Sequence, residues 1–153
     1  MFLIAAMSTD RIIGRGGTRP WDVPEEFRQF LSFVEGQTVL LGRGGWELLG
    51  NDLNHSQNIV VSQTLSNVPG AEVVPSLEEG LALAWNRDTK IFCAGGARLF
   101  EQTLPLASKL YLSTIEGHFE GDAVFPALEE GEWEVERERQ HDRFRFQLMK
   151  RRS

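Results

Sequence analysis

Few side chains in this sequence have both the type and the setting to do chemistry, and Glu26 is the first of them. Projected as a helix at about 100° per residue, Val23, Phe27, Phe30, Leu31, Phe33 and Val34 share one apolar arc. Glu25, Arg28, Gln29, Ser32 and Glu35 fall outside that arc, but Glu26 falls inside it, between Phe30 and Phe33. A carboxylate placed there must find a partner or keep its proton, because an unpaired buried charge is costly. Two readings stay open on periodicity alone. The side chain bends from the first turn towards water and the positive end of the helix dipole, or it is the acid of an apolar pocket that hydrogen-bonds or protonates a ligand.

The second group is a pair of glycine junctions of the same form. Val39-Leu40-Leu41-Gly42-Arg43-Gly44-Gly45 and Ile91-Phe92-Cys93-Ala94-Gly95-Gly96-Ala97 each read as a buried strand, then glycines, then a helix. Glycine lets a backbone approach a ligand closely, and a helix start offers free N–H groups to phosphate. Ligands of open parallel sheets collect beyond the carboxyl ends of the strands, where both junctions lie. Two such junctions suit the two halves of a dinucleotide. They serve equally well as plain turns, since neither is a G-x-G-x-x-G fingerprint or a phosphate-binding P-loop.

Other arrangements are weaker. His55, His118 and His141 are scattered and lack metal-ligand spacing, so no metal is expected. No Ser/His/Asp order suggests a hydrolase. Cys93 is the one cysteine, which excludes an internal disulfide, and its apolar run marks it as a packed strand thiol.

The elements that must position these residues follow from pattern. Phe2 to Met7 reads as a strand, followed by a long glycine-rich loop from Ser8 to Trp21. A helix runs from about Pro24 to Glu35, with Asp22 as its cap and Pro24 in its first turn. Val39 to Leu41 is a buried strand, and a short helix begins at Trp46. Strands follow at Asn58 to Ser62 and Glu72 to Val74. Ser76-Leu77-Glu78-Glu79 is a capping box that opens the next helix. Lys90 to Ala94 is a strand, and Arg98 to Leu104 a helix. Beyond Lys109 only strands appear: Leu110 to Leu112, then Trp133 to Arg139 and Arg143 to Met149 joined by His141-Asp142 as an antiparallel hairpin. Glu129-Glu130-Gly131-Glu132 reads as a solvated turn. The fold class is α/β, with a mostly parallel central sheet of about eight strands, an antiparallel C-terminal hairpin and about four flanking helices.

Composition sets the outer limits. At 153 residues, 41% apolar and 25% charged, the chain is expected to form one globular domain over residues 1–153. Its net charge of -6 disfavours nucleic acid, which is held mainly through Lys and Arg. The opening apolar run is too short to cross a membrane and has no basic residue before it, so a buried strand is expected there rather than a signal peptide. A cytoplasmic, monomeric protein is the expectation.

These segments stand in an order that resembles dihydrofolate reductase from end to end. The resemblance is carried by Leu3-Ile4-Ala5-Ala6, Ile12-Ile13-Gly14, Pro20-Trp21, Pro24, Glu26-Phe27-Arg28-Gln29-Phe30, Gly42-Arg43, Trp46-Glu47 and Asn58-Ile59-Val60-Val61-Ser62. It continues through Gly95-Gly96, Leu104-Pro105, Leu110-Tyr111-Leu112-Ser113, Glu120-Gly121-Asp122 and Phe125-Pro126.

The resemblance implies hydride transfer from NADPH to dihydrofolate or a related pterin. It implies that Glu26 is the active-site carboxylate, supported by Trp21 and Ser113, and that Ala5, Ala6, Phe27, Phe30, Leu49 and Leu53 line the substrate slot. Gly42, Arg43, Gly44, Gly45, Ser62 and Gln63 would face the adenosine and pyrophosphate half of NADPH. Ala6, Ile13, Gly14, Ala94, Gly95, Gly96 and Phe100 would lie near nicotinamide and its ribose, and Ala97, Arg98 and Leu99 would also belong to the cofactor site. A cis peptide is expected at Gly95-Gly96, and the loop Ser8 to Trp21 would be a lid braced by Gly121-Asp122.

The chain departs from the family pattern in four places. Gly45 stands where threonine is usual, Arg19 replaces a large apolar residue before Pro20, and Phe100 replaces a common tyrosine. Asn54-His55-Ser56-Gln57 lacks the arginine that clamps the substrate's glutamate. Alternatives that keep the fold are a pyrimidine-pathway, riboflavin-pathway or pterin reductase, and a catalytically quiet nucleotide-binding or phage structural module.

Overall fold

The computed structural model describes residues 1–153. Its chain runs through β1 (Phe2–Ser8), β2 (Ile12–Gly14), α1 (Pro24–Val34), β3 (Thr38–Gly42), α2 (Arg43–Leu49), β4 (Gln57–Val61), β5 (Ala71–Val74) and α3 (Leu77–Trp85). It continues through β6 (Ile91–Cys93), α4 (Ala97–Thr103), β7 (Lys109–Ile115), β8 (Ala123–Val124), β9 (Trp133–Gln140) and β10 (Phe144–Arg151). Eight strands form one sheet in the order β5-β4-β3-β6-β1-β7-β10-β9. The first six are parallel neighbours, whereas β10 runs antiparallel to both β7 and β9.

The continuous apolar runs occupy the sheet's centre, as strands covered on both faces require. Alternate residues of β3 serve opposite faces. Leu40 packs with Ile59, Ala84 of α3 and Leu99 and Phe100 of α4. Val39 and Leu41 pack with Phe30 and Val34 of α1 and Leu49 of α2. The helices therefore form a layer on each face, and α1 with α2 covers the face that carries Ile4 and Ala94.

Several boundaries differ from the sequence reading. Residues 8–21 are not all loop: β2 pairs antiparallel with β8, forming a separate two-stranded ribbon. Asp22 does not cap α1. The cap position falls on Val23, without a side-chain bond, and Pro24 opens the helix. Helix α2 begins at Arg43 rather than Trp46, so Gly44 and Gly45 lie in its first turn. Ser76 does cap α3, accepting a hydrogen bond from the backbone N–H of Glu79. On β9 the alternation of Trp133 and Val135 with glutamates buries little, for Val135 is 48% exposed at the sheet edge. No helix is long and apolar enough to cross a membrane.

Candidate active site

A slot of about 500 Å³, counting its open mouth, lies between the carboxyl end of the sheet and the face of α1. Ile4, Ala5 and Ala6 of β1 form its floor, with Phe27, Phe30, Leu48 and Leu49 as apolar walls. The short side chains at Ala5 and Ala6 leave the space that larger residues would fill. Glu26 reaches into this slot from the first turn of α1 and is only 5% exposed. Burial raises its pKa from 4.5 to about 7, against the opposing pull of the Arg19 charge and the Ser113 hydroxyl. Ser113 is buried on β7, in register with Ala6. Trp21 lines the same slot, and its buried indole N–H has no partner within the protein.

The segment crossing the mouth is tied down at both ends. The backbone N–H of Gly16 donates to the Asp122 carboxylate at 3.1 Å, and that of Asp122 donates to the Gly14 carbonyl at 3.2 Å. A Cβ on Gly121 would collide with the Gly14 carbonyl, so only glycine allows this approach. At the other end Arg143 donates to the Asp22 carbonyl at 2.8 Å, and His141 meets Glu25 at 3.0 Å. The turn of the β9–β10 hairpin thus holds the start of α1.

The two glycine junctions form one structure. Strands β3 and β6 are adjacent, and the Gly42 N–H donates to the Gly95 carbonyl at 2.7 Å. The Gly95-Gly96 peptide is cis. A Cβ at Gly45 would strike the Gly95 carbonyl, whereas one at Gly44 would meet nothing within 4 Å. Beside this contact lies a larger cleft lined by Gly42, Arg43, Gly44, Ser62, Gln63, Gly96, Ala97, Arg98 and Leu99. Thr64, Ser76 and Gln102 also line it and were not assigned to it by sequence. Arg43 is held there by Thr64 Oγ1 at 2.8 Å and Glu47 at 3.0 Å.

The expected residues divide among three spaces. Leu53 lies outside the slot; it packs with Phe30 and Leu49 and lines a separate groove further along α1 with Arg28, Ser32, Glu35, Asp52, His55 and Ser56. Gly14 lines neither cavity, and its carbonyl accepts from the Asp122 N–H. Gly45 lines the slot rather than the cleft, drawn there by its contact with Gly95. Ile13, Ala94 and Phe100 also line the slot, and Gly96 borders both spaces. Sequence reasoning passed over Ile4, Leu48 and Arg19 as lining residues.

Comparison with known proteins decides the family. The family model for dihydrofolate reductase matches residues 1–151. The chain belongs to the dihydrofolate reductase family. The dihydrofolate reductase of Neisseria meningitidis serogroup A is 38% identical over 138 residues, covering 88% of this chain and 85% of the relative. That of Bacillus subtilis is 34% identical over 133 residues, covering 86% and 79%. Among solved structures, the Enterococcus faecalis dihydrofolate reductase complexed with NADP(H) and RAB-propyl superposes with a TM-score of 0.90 at 27% identity, covering 99% of this chain and 96% of that one. The eight-stranded sheet, its antiparallel end and the four helices are therefore those of a dihydrofolate reductase, and the alternatives that borrow only the fold are not favoured.

Proposed function

We propose that this chain reduces 7,8-dihydrofolate to tetrahydrofolate with NADPH as hydride donor. The observation that carries this reading is Glu26, a carboxyl with a pKa of about 7, placed in a flat apolar slot that adjoins a cleft lined by glycines and two arginines. The cleft fits the cofactor chemically. Gly42, Gly44 and Gly96 leave backbone free to approach a pyrophosphate, Arg43 and Arg98 offer positive charge, and Ser62, Gln63 and Thr64 offer neutral donors. When bound, NADPH supplies the hydride.

The remaining work falls to the chain's own residues. Phe27, Phe30 and Leu49 sandwich the heterocycle and keep water out, while Ala5 and Ala6 let it lie flat against β1. Glu26 grips the amino group and ring nitrogen. A C=N bond accepts hydride more readily once its nitrogen carries a proton, and Glu26 is the only acid in the slot. It delivers that proton directly, or polarises the ring so that a water does. Trp21 and Ser113 act as positioning residues through their N–H and hydroxyl groups. Ile13, Ala94, Gly95 and Phe100 form the nicotinamide side, where Phe100 packs on Phe125 with ring centres 5.0 Å apart, while Ala97 and Leu99 line the cleft for the rest of the cofactor. The whole chain acts as one unit, monomeric and cytoplasmic, with no role in binding nucleic acid.

Replacing Glu26 with Gln tests this directly. The E26Q protein should fold and lose about 10²-fold or more in turnover near neutral pH, followed as loss of NADPH absorbance with dihydrofolate as acceptor. Near-normal turnover in E26Q would remove both the acid assignment and the dihydrofolate reading.

A further inference from the structure

The start of α1 carries the candidate acid, yet it lacks the usual fastening. Its cap position falls on Val23, which offers no side-chain bond to the free N–H groups, and Pro24 opens the helix. A first turn left in that state frays, and a buried carboxyl gains from fraying because it can swing out to water. Glu25 and Glu26 are consecutive and stand about 100° apart around the helix, so holding the outward residue fixes the direction of the inward one.

Glu25 is held from the other end of the chain. Its Oε1 lies 3.0 Å from Nδ1 of His141, in the turn between β9 and β10. The His141 side chain is only 9% exposed, and its ring lies flat on Phe144, with centres 4.2 Å apart and planes at 6°. Phe144 is fully buried and packs with Trp21, Val23 and Ile115. Nε2 of His141 is buried without a partner, so the ring's proton belongs on Nδ1, where Glu25 accepts it. Of the neighbouring charged groups, Arg143 donates to the Asp22 carbonyl, while Asp22, Arg28 and Asp142 pair with neither Glu25 nor His141.

We propose that His141 is a positioning residue for Glu26: through its hydrogen bond to Glu25 it pins the first turn of α1 and keeps the adjacent carboxyl inside the slot. This rests on Glu26 being the acid of the proposed reaction. The anchor is rigid, because the ring is stacked on a buried side chain of the sheet. Glu25 itself is half-exposed, so packing fixes the imidazole and the imidazole fixes the glutamate.

The test compares three variants. H141F keeps a ring on Phe144 but removes the bond, H141N places an amide N–H where Nδ1–H stood, and E25A cuts the bond from its exposed side. Glu26 is titrated by 13C NMR of glutamate-labelled protein, its signal assigned by its loss in E26Q. The wild-type midpoint lies at about 7. In H141F and E25A it should fall by about one pH unit or more as water reaches the carboxyl, and in H141N it should stay in place. Turnover of H141F and E25A should drop by about tenfold, with KM for NADPH changed by less than about twofold, and the double variant should lose no more than either single one. A midpoint unmoved in H141F and E25A, losses that add in the double variant, or H141N behaving as H141F would each overturn the proposal and leave the pair a surface contact. A wild type that fails to reduce dihydrofolate would count against the proposed activity instead, because the NMR titration reads the carboxyl without turnover.

Discussion

Glu26 should make this protein less stable as pH rises, and removing its charge should reverse that. The folded-state pKa is raised from 4.5 to about 7, chiefly by burial. Below pH 4.5 the carboxyl is neutral in both folded and unfolded chains and carries no penalty. Between pH 4.5 and 7 the unfolded chain releases the proton while the folded chain still holds it, so stability falls as pH rises. Above pH 7 the penalty is fully developed. At 1.36 kcal/mol per pKa unit, the shift corresponds to about 3 kcal/mol. E26Q carries no such charge at any pH, so its stability relative to the wild type should improve by about 3 kcal/mol between pH 4 and pH 8. For a domain of this size that is a relative gain of roughly 6–12 °C in melting temperature. Urea titrations of both proteins across that range measure it. A gap that stays constant within about 1 kcal/mol would show that the carboxyl is solvated in the folded protein, and the argument for a buried acid would fail. The expected pairing of higher stability with slower turnover is the trade-off of a site that holds a group at a cost.

Three further outcomes follow from the geometry. Arg43→Ala removes one of the cleft's two arginines and should narrow the preference for NADPH over NADH by about tenfold or more in kcat/KM; an unchanged ratio would place the 2′-phosphate elsewhere. Gly45→Ala drives a methyl group into the Gly95 carbonyl and should cost about 1–3 kcal/mol in a urea titration, with weaker NADPH binding; full stability would mean that the two junctions separate freely. Ser56→Arg places a guanidinium in the groove that holds Arg28 and His55, and should lower KM for dihydrofolate by an amount worth roughly 1.5–3 kcal/mol. A tail-less dihydropterin should gain little from that change, and an equal gain for both substrates would show that the glutamate tail does not lie there.

Legibility in the sequence followed the length and regularity of each signal. Val39-Leu40-Leu41 and Ile91-Phe92-Cys93 announced buried strands because a strand covered on both faces has no polar residue to interrupt it. Glu26 stood out because eleven residues of helix give the apolar arc enough turns to expose one misfit. The ribbon of β2 and β8 was invisible, since three residues and two residues cannot show a period. The early start of α2 was hidden by Gly44-Gly45, whose poor helix propensity is overruled by the demand for close approach at Gly95. Arg19 was legible as a departure from the family pattern but not as a wall of the slot. Only the fold shows that Phe27 offers it an aromatic face. Leu53 was legible as an apolar wall residue by type, but not which stretch of wall: the 3₁₀ turn at Gly50–Asp52 sets it in the groove beside the slot.

The position of β1 has a consequence for how the protein is made. This strand is synthesised first, yet it sits between β6 and β7, with Phe2 opposite both Phe92 and Lys109. Its first neighbour, β6, therefore follows about ninety residues later, and its second, β7, only after Lys109. Until β7 is made, Ala5 and Ala6 have no strand opposite them, and the open edge is the kind of surface that aggregates recruit. Chains broken off before Lys109 lack one of the two neighbours of β1, and their slot has no complete floor. The interleaving thus makes the floor of the slot one of the last parts of the sheet that can form, since β1 waits on a strand about a hundred residues away.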